Sequence, residues 1–185
     1  MNTRQRLQGF SLVEVMVALV IIAVGMLGIA KMQALALSTT ESSGVRSLVA
    51  IEAASLAASM HANRDYWVGN PPPAGFTVNV ATTAVNTISV VVSDPTLSPA
   101  QDCAAQACSP VQLAGYDVQQ WGTALGEVVP AAQATINCNL ASVPLNCTIQ
   151  IAWIETVSSV NNAAAATGSA ATDLNSPVYT LYVEP

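Results

Sequence analysis

Charge is what this chain has least of. Charged residues make up 9% of its 185 positions, where a soluble domain usually carries about a quarter. Basic side chains are scarcest: Arg4, Arg6, Lys31, Arg46 and Arg64 are all there are. None of them clusters in the later part of the chain, which argues against nucleic-acid binding through a basic face. His61 is the single histidine, and no H-E-x-x-H, Gly-rich phosphate loop or nucleophile elbow occurs. Asp94, Asp102, Asp117, Glu127, Glu155 and Asp173 stand singly in loops, a helix and a strand end, so no pair is favoured as acid and base. These absences point away from an enzyme, and no cofactor is expected. Proline is missing too, from residue 10 to residue 64, which leaves a long stretch with nothing to stop a helix.

What fills that stretch is apolar. Hydrophobic residues are 52% of the chain but unevenly placed. Residues 10–30 form the one uninterrupted run long enough for a bilayer, which takes about 20 residues. Arg4 and Arg6 precede it, so the N-terminus is expected in the cytoplasm and the acidic remainder outside. Beyond the run, Val45, Leu48, Val49, Leu56 and Met60 recur at three- and four-residue steps, with Glu52 interrupting. That is the period of a helix with one buried face. One continuous helix of about 55 residues is the simplest reading; two helices broken near Gly28 or at "STTESSG" remain the alternative.

"NPPPAG" ends the helical region, because three prolines force extended backbone. "FTVNVATTAVNTISVVVSD" follows as one or two strands, best seen at residues 87–93, and "PTLSPAQDCAAQAC" reads as a loop. Ser109 can cap a helix whose first turn holds Pro110; Leu113, Tyr116, Trp121, Leu125 and Val128 then share helical spacing until Pro130. "CTIQIAWIETV" alternates as a strand, "NNAAAATGSAATDLNS" is a small-residue loop over residues 161–176, and "VYTLYVEP" is a final strand with Tyr179, Leu181 and Val183 on one side. The order is long helix, strands, helix, strand, loop, strand. Trp121 and Trp153 read as core. Antiparallel strands packed on the amphipathic half of the long helix would satisfy both apolar faces, an α+β architecture.

All four cysteines lie in the part expected to be exported, as C-x4-C (Cys103, Cys108) and C-x8-C (Cys138, Cys147). Three pairings are available. Sequential pairing closes two short loops and is preferred; crossed or free cysteines, or a zinc site with unusual spacing, are the alternatives. "NCT" at Asn146 matches a glycosylation acceptor, weakened by its cysteine.

Glu14 is the anomaly. It sits five residues into the apolar run, and a carboxylate at such a place costs about 3 kcal/mol. An ordinary signal peptide cut near Ala34-Leu35-Ala36, or an uncleaved signal anchor, leaves it unexplained. Cleavage between Gly9 and Phe10 explains more. It removes both arginines and creates a free amine near Glu14, so that a carboxylate of one subunit can face the amine of a neighbour when such helices pack together.

"GFSLVEVMVALVIIAVGMLGIAKMQ" closely resembles the class III signal of type IV pilins and pseudopilins. The resemblance implies that a prepilin peptidase cuts after Gly9 and methylates Phe10, and that Glu14 is the assembly glutamate. It implies a pilin-like fold in segments: a leader at 1–9, a transmembrane and assembly half-helix at 10–30, an amphipathic half at 31–66 and an extracytoplasmic α+β region at 67–185. "CAAQACSPVQLAGYDVQQWGTAL", "CNLASVPLNC" with Cys138 and Cys147, "CTIQIAWIE" and "LYVEP" resemble minor pilins of the PilV type. Such proteins join other minor pilins and the major pilin in an initiating or tip complex. That complex primes pilus assembly on an inner-membrane platform and helps present an adhesin-like tip protein, supporting twitching motility and attachment. The expected location is the bacterial inner membrane as a single pass with the domain in the periplasm, then the pilus. The I-type minor pseudopilin of type II secretion shares much of the pattern. A departure from major pilins is the lack of proline in the first helix, with Lys31 just past its apolar core.

Overall fold

A computed structural model of the chain describes residues 11–69, 73–83, 85, 87–98, 101–154 and 176–185. The chain divides into two compact units, residues 1–41 and 42–185.

Helix α1 (Leu12–Ala62) is unbroken at Gly28 and through "STTESSG", so the one-helix reading holds. In the first unit its residues 11–37 are exposed on every side. In the second unit, α1 buries Val49, Ala53, Leu56 and Met60 completely, with Val45 partly covered. Each large apolar side chain so buried contributes about 1.5–3 kcal/mol. The stripe differs from the expected one in one place. Leu48 is 47% exposed, and Ala53 fills the seam next to Glu52. A four-step from Val49 reaches Ala53 and keeps the helix period, whereas Leu48 falls off the line.

A short turn, α2 (Arg64–Trp67), follows, and Trp67 is buried against Phe76. Five antiparallel strands form one sheet in the order β2-β1-β3-β4-β5. They are β1 (Gly75–Thr82), β2 (Ile88–Val92), β3 (Gln133–Asn139), β4 (Asn146–Ala152) and β5 (Val178–Val183). After the β1–β2 hairpin the chain passes through a 3-10 turn (Pro95–Leu97) and α3 (Pro110–Val128) before returning as β3 on the other side of β1.

β3 corrects the sequence reading, which has no strand in "QATINCN". It is the central strand, and Ala134, Ile136 and Cys138 alternate inward along it. Two of those three are small residues with little strand preference, so the period-two signal is faint. "CTIQIAWIETV" and "VYTLYVEP" hold β4 and β5, with Tyr179, Leu181 and Val183 on the core side. The expected loop over residues 161–176 lies outside the described residues except for Ser176.

α3 begins with a capping box: Ser109 Oγ accepts from the Gln112 backbone N–H at 3.5 Å, and Gln112 Oε1 accepts from the Ser109 N–H at 2.9 Å. Its buried face is shifted from the expected one. Leu113, Tyr116 and Val128 are half-buried, while Ala114, Val118, Trp121 and Leu125 line the core beside Gly115, Gly122 and Gly126. The glycines admit the sheet. A Cβ on Gly122 would stand 2.6 Å from Val90 Cγ1, and one on Gly126 would stand 2.6 Å from both Ile88 Cγ2 and Val80 Cγ1. α3 therefore lies closer to β1 and β2 than any bulkier residue allows.

Two polar ties join α3 to the second half of α1 and to Asn63, which follows it. Trp121 Nε1 donates to the Glu52 carbonyl at 2.8 Å, and Asn63 Nδ2 donates to the Pro110 carbonyl at 2.7 Å. Trp121 and Trp153 are both buried, as the sequence suggests for core residues. One face of the sheet is thus covered by α3 and the later part of α1, and the unit matches a pilin-like α+β fold.

Candidate assembly site on the N-terminal helix

The first turn of α1 is closed by the Ser11 carbonyl, which accepts from the Glu14 and Val15 N–H groups at 3.1 and 3.3 Å. Glu14 is the acidic residue of that turn, where the positive end of the helix dipole favours a carboxylate. Around it stand Leu12, Val13, Val15, Met16 and Val17, all exposed. The helix is long and apolar enough to cross a membrane, and its apolar part is exposed throughout. Glu14 is the one charge between Leu12 and Ala30. Among the described residues no basic group pairs with it.

The helical repeat of about 100° per residue places Ala18, Ile21, Gly25 and Gly28 within about 40° of Glu14 around the axis. Nothing lies within 4 Å of where a Cβ on Gly25 or Gly28 would be. Ile21 stands out on this side, but at Gly25 and Gly28, about three and four turns beyond Glu14, the helix is narrow enough for a second backbone to come close. Sequence reading treats Gly28 only as a possible break in the helix, and misses that Gly25 and Gly28 share the carboxylate's side. Gly9 and Phe10, the expected cleavage and methylation positions, lie outside the described residues.

The cysteines of the second unit form two local bridges. Cys103 is bonded to Cys108, and Cys138 to Cys147 across the paired positions of β3 and β4. No described cysteine is free, so no thiolate set remains for zinc. Cys147 is wholly buried. The first bridge is braced against α3, where Gln112 Nε2 donates to Gln101 Oε1 at 3.0 Å.

No group of three His, Cys, Asp or Glu side chains gathers among the described residues. Asp94 accepts from Thr96 N at 2.9 Å and Thr96 Oγ1 at 2.7 Å, and Asp102 accepts from Ala104 N at 2.9 Å, so both carboxylates serve turns. His61 and Glu127 are exposed; Glu155 and Asp173 lie outside the described residues. Burial pushes the Asp117 carboxyl above the ordinary aspartate range. Burial also raises the Tyr66 phenol; its hydrogen bond with Thr96 opposes that shift and the nearby Asp94 adds to it. A cleft of about 310 Å³ opens between Arg64, Val68, Val143, Pro144 and Glu184. It brings together no nucleophile and base.

Residues 4–30 match the family model described as the prokaryotic N-terminal methylation motif. No curated protein and no solved structure matches the chain. The motif covers Gly9, Phe10 and Glu14, and it is consistent with the broader superfamily of type IV pilins and pseudopilins. Motif, sheet and a helix long and apolar enough to cross a membrane together describe a pilin-like protein.

Proposed function

We propose that this chain is a minor pilin of the type IV pilus. In this reading a prepilin peptidase cuts the Gly9–Phe10 bond, removes residues 1–9 and methylates the new amine of Phe10. The anchored chain then waits as a single pass in the bacterial inner membrane, its domain in the periplasm. It next joins other minor pilins and the major pilin, on the inner-membrane platform, in an initiating or tip complex that primes assembly. That complex helps present an adhesin-like protein, supporting twitching and attachment.

One observation carries the reading: Glu14 is a lone carboxylate in the first turn of an otherwise apolar helix, inside the matched motif. Left alone in hydrocarbon it would cost roughly 3 kcal/mol. Set against the amine of a neighbouring Phe10, its desolvation is offset by close attraction. The flank of Ala18, Gly25 and Gly28 lets the neighbour approach on the same side.

Two measurements test this together. The intact mass of the mature chain should correspond to a start at Phe10 plus one methyl group; a start at Met1 or Leu37 refutes processing. Glu14→Ala should insert in the membrane as well as wild type yet fail to enter the pilus complex. Equal incorporation refutes the assembly role. Recovery of crosslinked secretion components in place of pilins would move the chain to the I-type pseudopilins of type II secretion.

A further inference from the structure

The two bridges of the globular unit stand in different surroundings. Cys138 and Cys147 are 8% and 0% exposed, inside the paired strands β3 and β4. Cys103 and Cys108 are both partly exposed, and Ala104, Ala105, Gln106 and Ala107 between them are open to water. This small ring is fastened to the start of α3 by a chain of hydrogen bonds. Gln101 Nε2 donates to the Ala107 carbonyl at 3.3 Å, and Gln101 Oε1 accepts from Gln112 Nε2 at 3.0 Å. Gln112 Oε1 in turn accepts from the Ser109 N–H at 2.9 Å and from Ser109 Oγ at 3.0 Å. One side chain, Gln112, thus serves both the ring and the cap of α3. On either side the chain is pinned without help from the bridge. Leu97 is buried, and its backbone runs so near α3 that a Cβ on Gly115 would lie 2.9 Å from its carbonyl oxygen. The Pro110 carbonyl is held by Asn63 Nδ2.

We propose that Cys103–Cys108 is a thiol–disulfide exchange site, and that its reduction by a dithiol releases the cap of α3 while Cys138–Cys147 stays closed. Exchange needs a thiolate to reach a bridge sulfur, so exposed bridges are the labile ones and a cysteine buried in a sheet is inert. One thiolate of the dithiol attacks one sulfur of the bridge, and the other bridge sulfur leaves as a thiolate. The dithiol's second thiolate then displaces the first bridge sulfur and closes its own disulfide. Two electrons and two protons pass to Cys103 and Cys108. Once open, the ring regains the backbone freedom that closure had removed. Gln101 and Gln112 are then no longer held together, and the first turn of α3 keeps only Ser109 as its cap. Because Leu97 and Pro110 remain anchored, the release stays within residues 101–112 and the fold survives it.

The test titrates the full chain in detergent with dithiothreitol, traps free thiols with iodoacetamide and locates them by peptide mass mapping. Cys103 and Cys108 should be alkylated about tenfold sooner than Cys138 and Cys147. With only the first bridge open, the amides of residues 109–116 should exchange with deuterium about fivefold faster, the worth of one helix cap, while those of β3 and β4 keep their rate. Cys103→Ser combined with Cys108→Ser should show the same fast exchange without reductant. Gln112→Ala should show it with the bridge closed, and reduction should add nothing further. Opening of both bridges together overturns the proposal. So does a reduced first bridge that leaves the amides of α3 as slow as before. A Gln112→Ala chain that responds to reduction as wild type does would overturn it too, because the ring would then act on α3 by another route.

Discussion

Gly126→Ala should destabilise the globular unit, although alanine is the better helix former. In an open helix the exchange gains about 1 kcal/mol, since glycine loses more backbone freedom on folding. At Gly126 the new methyl would lie 2.6 Å from Ile88 Cγ2 and 2.6 Å from Val80 Cγ1. Both obstacles are methyls of β-branched residues held at one rotamer, so neither can swing aside. Val80 is buried and Ile88 sits on the strand paired with it at the sheet edge, which means that relief requires α3 to lift from β1 and β2. Overpacking costs about 1–3 kcal/mol, and two fixed methyls met at 2.6 Å put this case in the upper half, about 2–3 kcal/mol. Net of the helix gain, about 1–2 kcal/mol of stability should be lost, or about 3–6 °C in Tm for a domain of this size. The control is Gly44→Ala, where a Cβ meets nothing within 4 Å. That change should raise Tm by about 2–3 °C. Thermal unfolding of the full chain, followed by near-ultraviolet circular dichroism of its tryptophans, reads both. A Tm for Gly126→Ala equal to or above wild type, with Gly44→Ala behaving as stated, would refute the close approach of α3 to the sheet.

Two other expectations concern the same unit. The bridge Cys138–Cys147 closes a loop of sequence separation 9 inside the sheet; converting both residues to Ala should cost about 2–3 kcal/mol by the chain-entropy argument. The same change at the exposed Cys103–Cys108 loop, of separation 5, should cost less, and the two Tm values compared directly decide it. Asp117→Asn should stabilise at neutral pH and not at pH about 3. The folded carboxyl titrates above its unfolded value, so the native state binds the extra proton and stability falls as pH rises through that interval. Because Asp117 is partly exposed, the gain is small; a variant advantage that persists equally at acid pH would remove burial as the cause.

How much of this could be read in the sequence depends on how large each signal is against its neighbours. α1 was legible because nothing in residues 10–64 can break it, and α3 because Ser109, Pro110 and Pro130 mark its ends. Glu14 was legible as the one charge in an apolar run. β3 was not, because its inward residues Ala134 and Cys138 are small and weakly strand-forming, and its place at the sheet centre comes from pairing with β1 and β4 on either side. The buried face of α3 was mistaken for the same reason. Its contact is made by glycines, which hydrophobic periodicity counts as blanks, so Leu113 and Tyr116 were expected to face the core where Ala114 and Val118 do. Leu48 shows the reverse error, a large residue given weight that geometry assigns to Ala53. Contacts made by absent side chains leave no trace in a pattern of large ones.

The scarcity of charge has two causes in one chain, and separating them bears on function. Between Leu12 and Ala30 every charge but Glu14 is absent, and so is all other side-chain polarity, which is what a lipid environment demands of a single helix. In the strands polarity remains, as rows of Thr, Asn and Gln, and only ionisation is missing. Lipid cannot select that pattern, and neither can a packed core, since these side chains stand on the face away from it. Nor does the fold need it: the ties that hold α1 to α3 run through Trp121, Asn63 and main-chain carbonyls, so a surface lysine or glutamate on the sheet would disturb none of them. Residues 67–185 hold only seven acidic side chains and no lysine or arginine, so strands without a charge follow from the composition of this part of the chain. The single charge on the helix is the contrast, because lipid disfavours Glu14 and only the proposed pairing with a neighbouring amine offsets its cost.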